Sequence, residues 1–296
     1  MYRPQHRSSA FILTAGHLEM TEVIGDDWDT PIYAALLAHP DRSSSGVDRQ
    51  ERILRSVIAV AGPHIKAFLS VHGPRLVQFA GSEAVLAFME CLTNYYDTML
   101  AVIENGSAVL LPEWMVAVKD LQGMLADRVD SSIFLCFQLG LPLLCPQLIA
   151  QATGRPIAVV VHRRSVAMHD LLRKSIKGCR LLFIEDDLGP QMIRALREGL
   201  DVVLNVDTVY PGTRSATMAF LGRQLEVPIG WRVIARRVRR SAVPLCLFSN
   251  GPGVNVATAA PIDLSDDQSA TCGLRDFFEP LVIDMPLQWL GWGSLS

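Results

Sequence analysis

The residues able to move a proton or attack a carbonyl are thinly spread along this sequence. A histidine with a carboxylate five residues on is a compact acid–base unit. Neutral imidazole takes a proton near pH 7, and the carboxylate orients the ring and stabilises its charged form. The chain has seven histidines, and that spacing occurs once, from His17 to Glu22 in "FILTAGHLEMTEV". Chance alone supplies one such spacing about as often as not, so the pair carries little weight by itself. His162 closes the apolar run "IAVVVH", and His169 and Asp170 follow on the next helical segment. Adjacent residues point to different faces of a helix, so both are expected at the surface. Asp207 ends the run "VVLNVD". Ligands of open α/β sheets bind at such strand ends; a turn or a helix cap would use the same residue. The run from 133 to 145, "IFLCFQLGLPLLC", has a strand–turn–helix pattern, where an α/β enzyme often keeps its reactive groups. It carries one Gln, two Cys and no charge. The Gln138 amide donates and accepts hydrogen bonds but has no basicity.

Other chemistries lack their signatures. There is no GxGxxG after a strand, no GxxxxGK[ST] and no GxSxG elbow, so dinucleotide, P-loop and nucleophile-elbow sites are not supported. "SNGPGVN" at 249–255 reads as a plain glycine-rich turn. Six cysteines (Cys91, Cys136, Cys145, Cys179, Cys246 and Cys272) have no CxxC or Cys/His metal spacing. They are expected to be reduced, buried thiols of a cytoplasmic protein, with no metal and no cofactor. The net charge of −3 excludes a polyanion binder such as a nucleic-acid protein at the level of the whole molecule. Half of the residues are apolar, 19% are charged, and mean hydropathy is +0.26. That composition suits a protein handling lipid-like material, or one with a large core and an oligomer interface. No uninterrupted apolar run reaches the ~20 residues of a membrane span, so membrane contact would be peripheral.

The elements that must position these residues follow from periodicity. Residues 1–47 are irregular and turn-rich. From 48 to 130 apolar residues recur every three or four positions, predicting packed helices, the last with Pro112 near its start. From 131 to 296 the texture changes. "SIFLCF", "IAVVVH", "RLLFIE", "DVVLNVD" and "VPLCLFS" are short runs rich in Val, Ile and Leu, separated by turns and helices. This predicts an α/β fold: a mostly parallel central sheet flanked by helices, with an N-terminal helical section. Pro190 and Gly199 bracket one helix between two such runs. The end, "CGLRDFFEPLVIDMPLQWLGW", reads as a helix and then an aromatic tail.

The order of the pieces carries a resemblance. "IFLCFQLGLPLL" is followed by "TGRPIAVVVHRRS", "IRALREGLDVVLNVDTVYPGT", "MAFLG", "VPIGWRVIARR", "AVPLCLF" and "PLQWLGW". Over roughly 131–292 this resembles the lysophospholipid acyltransferase superfamily, in particular the late lauroyl/myristoyl acyltransferases of lipid A biosynthesis. The resemblance aligns Gly140 with the family glycine and Asp207 with the family aspartate. Phe220 and Gly222 fall on a Phe-Phe-Gly element, and "PLQWLGW" on the closing motif. It also places Gln138 at the catalytic histidine and Leu143 at its acidic partner. The family fold is thus implied while its usual proton acceptor is missing.

Two functions follow as expectations. One is transfer of an acyl group from an acyl-carrier-protein or CoA thioester to a glycolipid or a specialised metabolite, with an altered catalytic arrangement. Gln138, Asp207 and His162 would then carry the chemistry, and Gly140, Arg214, Arg236 and Arg240 would bind substrate. The other is an acyl-binding or scaffolding pseudoenzyme that performs no transfer. In "RVIARRVRRS", Arg232, Arg236, Arg239 and Arg240 share one face at helical spacing. An anionic membrane surface, an acidic carrier protein or plain solvation would each suit that face. The expected location is the cytoplasm, or the inner face of the membrane as a peripheral protein.

Overall fold

The computed structural model describes residues 112–289 and 295, except 127, 129, 164, 165, 210, 211, 251 and 252, together with positions 53, 55, 77, 88 and 91. His17 and Glu22 lie outside the described residues, as do the irregular segment 1–47 and most of the section 48–130. The five single positions are helical.

Eight strands run in the order β1 (Ile133–Cys136), β2 (Ile157–Val161), β3 (Arg180–Phe183), β4 (Asp201–Asn205), β5 (Ser215–Phe220), β6 (Arg223–Pro228), β7 (Ala242–Asn250) and β8 (Gly253–Thr258). Six of them make the central sheet in the spatial order β3-β2-β4-β1-β7-β8. All neighbours pair parallel except β8, which runs antiparallel to β7. This is the α/β architecture that the alternating apolar runs predict. Ile133 pairs with Val202 on one side and Ala242 on the other, so β1 lies in the middle between β4 and β7. Every residue of β1 is buried, as a strand covered by helices on both faces must be.

The helices are α1 (Pro112–Met124), α2 (Cys145–Thr153), α3 (Val166–Ser175), α4 (Leu188–Arg197), α5 (Gly230–Val238) and α6 (Asp267–Asp284). α1 begins at Pro112, whose missing N–H costs nothing there. Its buried stripe is Trp114, Ala117, Val118 and Leu121. Trp114 Nε1 donates to Gln151 Oε1 of α2 at 2.6 Å. The helix packs on α2 and β8, so it is built into the same layers as the sheet. α6 is capped by Asp266, whose side chain accepts from the Ser269 N–H at 2.7 Å. It starts earlier than the tail composition suggests and continues through Pro280. No helix among the described residues is long and apolar enough to cross a membrane.

Two details add to the sequence-based expectations, and a third corrects one. The glycine-rich turn at 249–255 is the tip of a β7–β8 hairpin in which Asn250 pairs with Gly253. "MAFLG" belongs to a separate two-stranded sheet, β5–β6. α5 stops at Val238, because Arg239 adopts a left-handed conformation at φ 55°. Arg239 and Arg240 therefore leave the helix and do not share the face of Arg232 and Arg236.

Leu135 sits at the centre of β1 with no exposed surface. Leu135→Ala should lower the unfolding free energy by about 2–5 kcal/mol in a urea titration. A loss well below 1 kcal/mol would mean that β1 does not lie in the core.

Candidate functional site

Three parallel neighbours, β2, β4 and β1, end at one edge of the sheet, so the residues just past them emerge side by side. Asp207 follows β4 and Gln138 follows β1. The Gln138 backbone N–H donates to Asp207 Oδ2 at 2.8 Å, and the Gln138 amide Nε2 donates to Thr208 Oγ1 at 3.0 Å. Trp289, from the segment after α6, donates its indole N–H to the same Asp207 Oδ2 at 3.0 Å. Asp207 is 1% exposed, and its Oδ1 is buried with no hydrogen-bond partner among the described residues. Burial pushes its pKa up to about 6, against hydrogen bonds from Trp289, the Gln138 backbone and its own backbone, which act the other way.

The backbone around Gln138 is clamped. Gly140 has φ 70°, and its N–H donates to the Gln288 carbonyl at 2.9 Å. Leu141 N–H donates to the Leu247 carbonyl at 2.6 Å. A Cβ on Gly140 would lie 2.2 Å from that Leu247 oxygen and 2.8 Å from Phe248 Cα. Only glycine permits both the left-handed turn and this close approach. Below the loop, Phe137 stacks on Phe278 of α6 with ring centroids 3.8 Å apart. Phe220 and Trp289 complete the cluster, their centroids 5.4 Å apart. Leu143, in the short 3₁₀ turn Pro142–Leu144, packs against the core.

His162 follows β2 at the same edge but has a different partner. Its Nδ1 lies 3.1 Å from Glu185 Oε1, beyond β3. Glu185 also accepts from the Arg163 backbone N–H at 3.1 Å. Burial raises the Glu185 pKa, but the hydrogen bonds from His162 and the backbone outweigh it and lower the net value. His169, expected at the surface, is buried with its Nε2 2.8 Å from the His162 carbonyl oxygen. Its ring meets the edge of Phe183 at 5.3 Å. Asp170 is exposed.

The arginines proposed for substrate lie elsewhere. Arg214 and Arg232 both pair with Asp267, in the first turn of α6, the former at 2.6 Å. Arg236 donates to the Ser265 carbonyl at 3.1 Å. α6 has 18 residues and is about 27 Å long at 1.5 Å per residue; Asp267 lies at its start, and Trp289 follows its end. Arg240 donates to Ser131 Oγ at 3.1 Å and faces Asp130 at 3.5 Å. Ser131 precedes β1, so Arg240 sits at the opposite edge of the sheet from Asp207. The structure gathers Gln138, Gly140 and Asp207, adds Thr208 and Trp289, and leaves these arginines outside.

All six cysteines are free; Cys136, Cys145 and Cys246 are buried, and the other three are half-buried. A hydrogen bond with Cys145 and burial raise the Cys136 thiol well above its ordinary value, and burial does the same for Cys246. Neither is poised as a thiolate nucleophile. Among the described residues no group of His, Cys, Asp and Glu is arranged to hold a metal ion. Neither a protein-family model nor a curated protein matches this chain.

Asp207 makes stability depend on pH. Its folded pKa lies above the ordinary 3.8, so the folded state binds the proton more tightly than the unfolded one. Stability contributed by this group is full below about pH 4 and is lost as pH rises to about 6. The stability of the wild type minus that of Asp207→Asn, from urea unfolding at each pH, should fall across that window and then level off. A flat difference would show an ordinary carboxylate. Gly140→Ala should cost more than about 2 kcal/mol in the same assay; an unchanged midpoint would show that the clamp is absent.

Proposed function

We propose that this chain is an acyltransferase-like protein of the lauroyl/myristoyl type. It engages an acyl-carrier or CoA thioester and passes the acyl group to a hydroxyl or amine of a glycolipid or specialised metabolite. The observation that supports this reading is the meeting of two distant motifs at one carboxylate. "IFLCFQLG" and "PLQW", each placed by the family resemblance, come together on Asp207 through Gln138 and Trp289.

The chemistry differs from the family pattern at its first step. Gln138 takes no proton, so Asp207 is the group in this cluster that can. The acceptor O–H or N–H gives its proton to Asp207 Oδ1 as its oxygen or nitrogen bonds to the thioester carbonyl carbon. The carbonyl oxygen gains the negative charge. One Gln138 amide N–H is bonded to Thr208, and the second is directed at that oxygen, a neutral donor for a developing oxyanion. Collapse breaks the C–S bond, and the departing thiolate takes the proton back from Asp207. Trp289 must lift for substrate to reach Oδ1, since Asp207 is 1% exposed.

That same burial favours a second reading, an acyl-binding pseudoenzyme. Asp207 would then be a structural acceptor for Gln138 and Trp289, and the thioester would be bound without turnover.

The experiment separates them. Purified protein is incubated with radiolabelled acyl-carrier and acyl-CoA thioesters and hydroxyl or amine acceptors. Transfer that Asp207→Asn lowers at least 100-fold and Gln138→Ala at least tenfold supports the enzyme. Thioester binding at equal affinity in all three proteins, without product, supports the pseudoenzyme. Neither binding nor product sinks both. The double change Gln138→His with Leu143→Glu should create or raise transfer, by restoring a basic imidazole and its carboxylate.

A further inference from the structure

At the opposite edge of the sheet lies a feature that the proposed reaction does not use. A cavity of about 210 Å3 opens between the end of α1, the start of β1 and the end of α2. Leu125, Ala126, Phe134 and Ala152 supply apolar wall, Gln122, Ser132 and Thr153 supply polar wall, and Arg128 and Arg155 supply charge. The volume suits a ligand of about seven to ten non-hydrogen atoms, at roughly 20–30 Å3 each.

The two guanidinium groups differ in what neutralises them. Arg155 faces the buried Asp201 at 3.6 Å and donates to the carbonyls of Asp130 and Arg128 at 2.7 and 2.8 Å. Asp201 in turn accepts from the Ser132 N–H at 2.7 Å. That charge is answered within the protein. Arg128 has no acidic partner among the described residues. Its Nη2 reaches the Ala259 carbonyl at 3.3 Å, while its Nη1 is buried with no hydrogen-bond partner. The neighbouring carboxylate of Asp130 is taken by Arg240 at 3.5 Å. A buried guanidinium nitrogen left unbonded is costly, and desolvation lowers the pKa of Arg128 accordingly. The wall therefore combines a positive charge with no acidic partner among the described residues and a strip of apolar lining beside polar groups.

We propose that this cavity is a binding site for a small organic carboxylate with a short apolar tail. The carboxylate meets Arg128, where an ionised acceptor makes the stronger kind of hydrogen bond, and the tail lies along Leu125, Ala126, Phe134 and Ala152. The site shares no residue with the Gln138–Asp207 cluster, so it stands whether or not the chain transfers acyl groups.

The test is isothermal titration of the full chain with hexanoate, hexan-1-ol and inorganic phosphate. Hexanoate should bind saturably at one site. Hexan-1-ol, which keeps the tail and drops the charge, should bind at least tenfold more weakly, and so should phosphate, which keeps charge and drops the tail. Arg128→Met should weaken hexanoate at least tenfold, while Arg128→Lys should keep part of the affinity. Ala152→Phe, which fills the cavity without altering a charge, should abolish binding. Absence of saturable hexanoate binding, equal affinity for hexan-1-ol, tighter phosphate binding, or unchanged affinity in a folded Arg128→Met protein would each overturn the assignment. The three-ligand comparison needs only the wild type, so a variant that fails to fold leaves the question decidable.

Discussion

The Asp207 carboxylate is the point on which the carboxyl edge of this sheet is organised. One of its oxygens accepts from the backbone after β1 and from the indole of Trp289. It thus joins β4, the β1 loop and the segment after α6. Each partner is individually weak; a net hydrogen bond to a charged group contributes about 1.5–3 kcal/mol. The aromatic packing of Phe137, Phe220, Phe278 and Trp289 supplies the apolar surroundings, and those surroundings are what raise the carboxyl pKa. Packing and electrostatics are therefore coupled. The contacts that seat the tail also make the carboxylate less content to ionise.

The two edges of the sheet divide the charged residues between them. At the carboxyl edge sit Asp207 and, one strand over, the His162–Glu185 pair. At the amino edge sit Asp201, Arg155, Arg128 and Arg240. The basic cluster around α6 belongs to neither. Arg214 and Arg232 converge on Asp267 beside the helix start. An ion pair half in solvent contributes little by itself, but Arg232 is buried, so its partner must be present. These arginines hold α6 to the body.

The fold was legible because it depends on patterns that survive in a single sequence. The strands β1, β2, β4 and β7 are mostly buried and the edge strand β3 is half-covered; such parallel strands need runs of Val, Ile and Leu, and all five stand out as such runs. The β8 strand did not, because "GVNVAT" alternates polar and apolar residues at a half-covered edge and sits behind a glycine-rich turn. Asp207 and Gln138 could be singled out from their strand ends. Their pairing could not, since it follows from β1 lying beside β4, a matter of strand order. Trp289 was visible as part of an aromatic tail, but nothing local says that its indole N–H ends on a carboxylate. The arginine run misled for a simple reason. Helical spacing of the arginines continues in the sequence past Val238, but Arg239 turns left-handed there and sends Arg240 to the other end of the sheet. His169 misled through adjacency to Asp170, which says that the two diverge but not which one goes inward.

The order in which the chain delivers its pieces bears on how this region assembles. Trp289 meets Asp207 across 82 positions of sequence, and every strand of the central sheet precedes it. The sheet can zip up with the carboxylate still wet, ordinary in acidity and bare of its indole lid. Seating 285–289 is what takes that carboxylate out of water, because the Trp289 indole bonds it. Burial of the acid and attachment of the tail are therefore one event. Any motion that lifts the tail wets the carboxylate and returns it toward ordinary acidity.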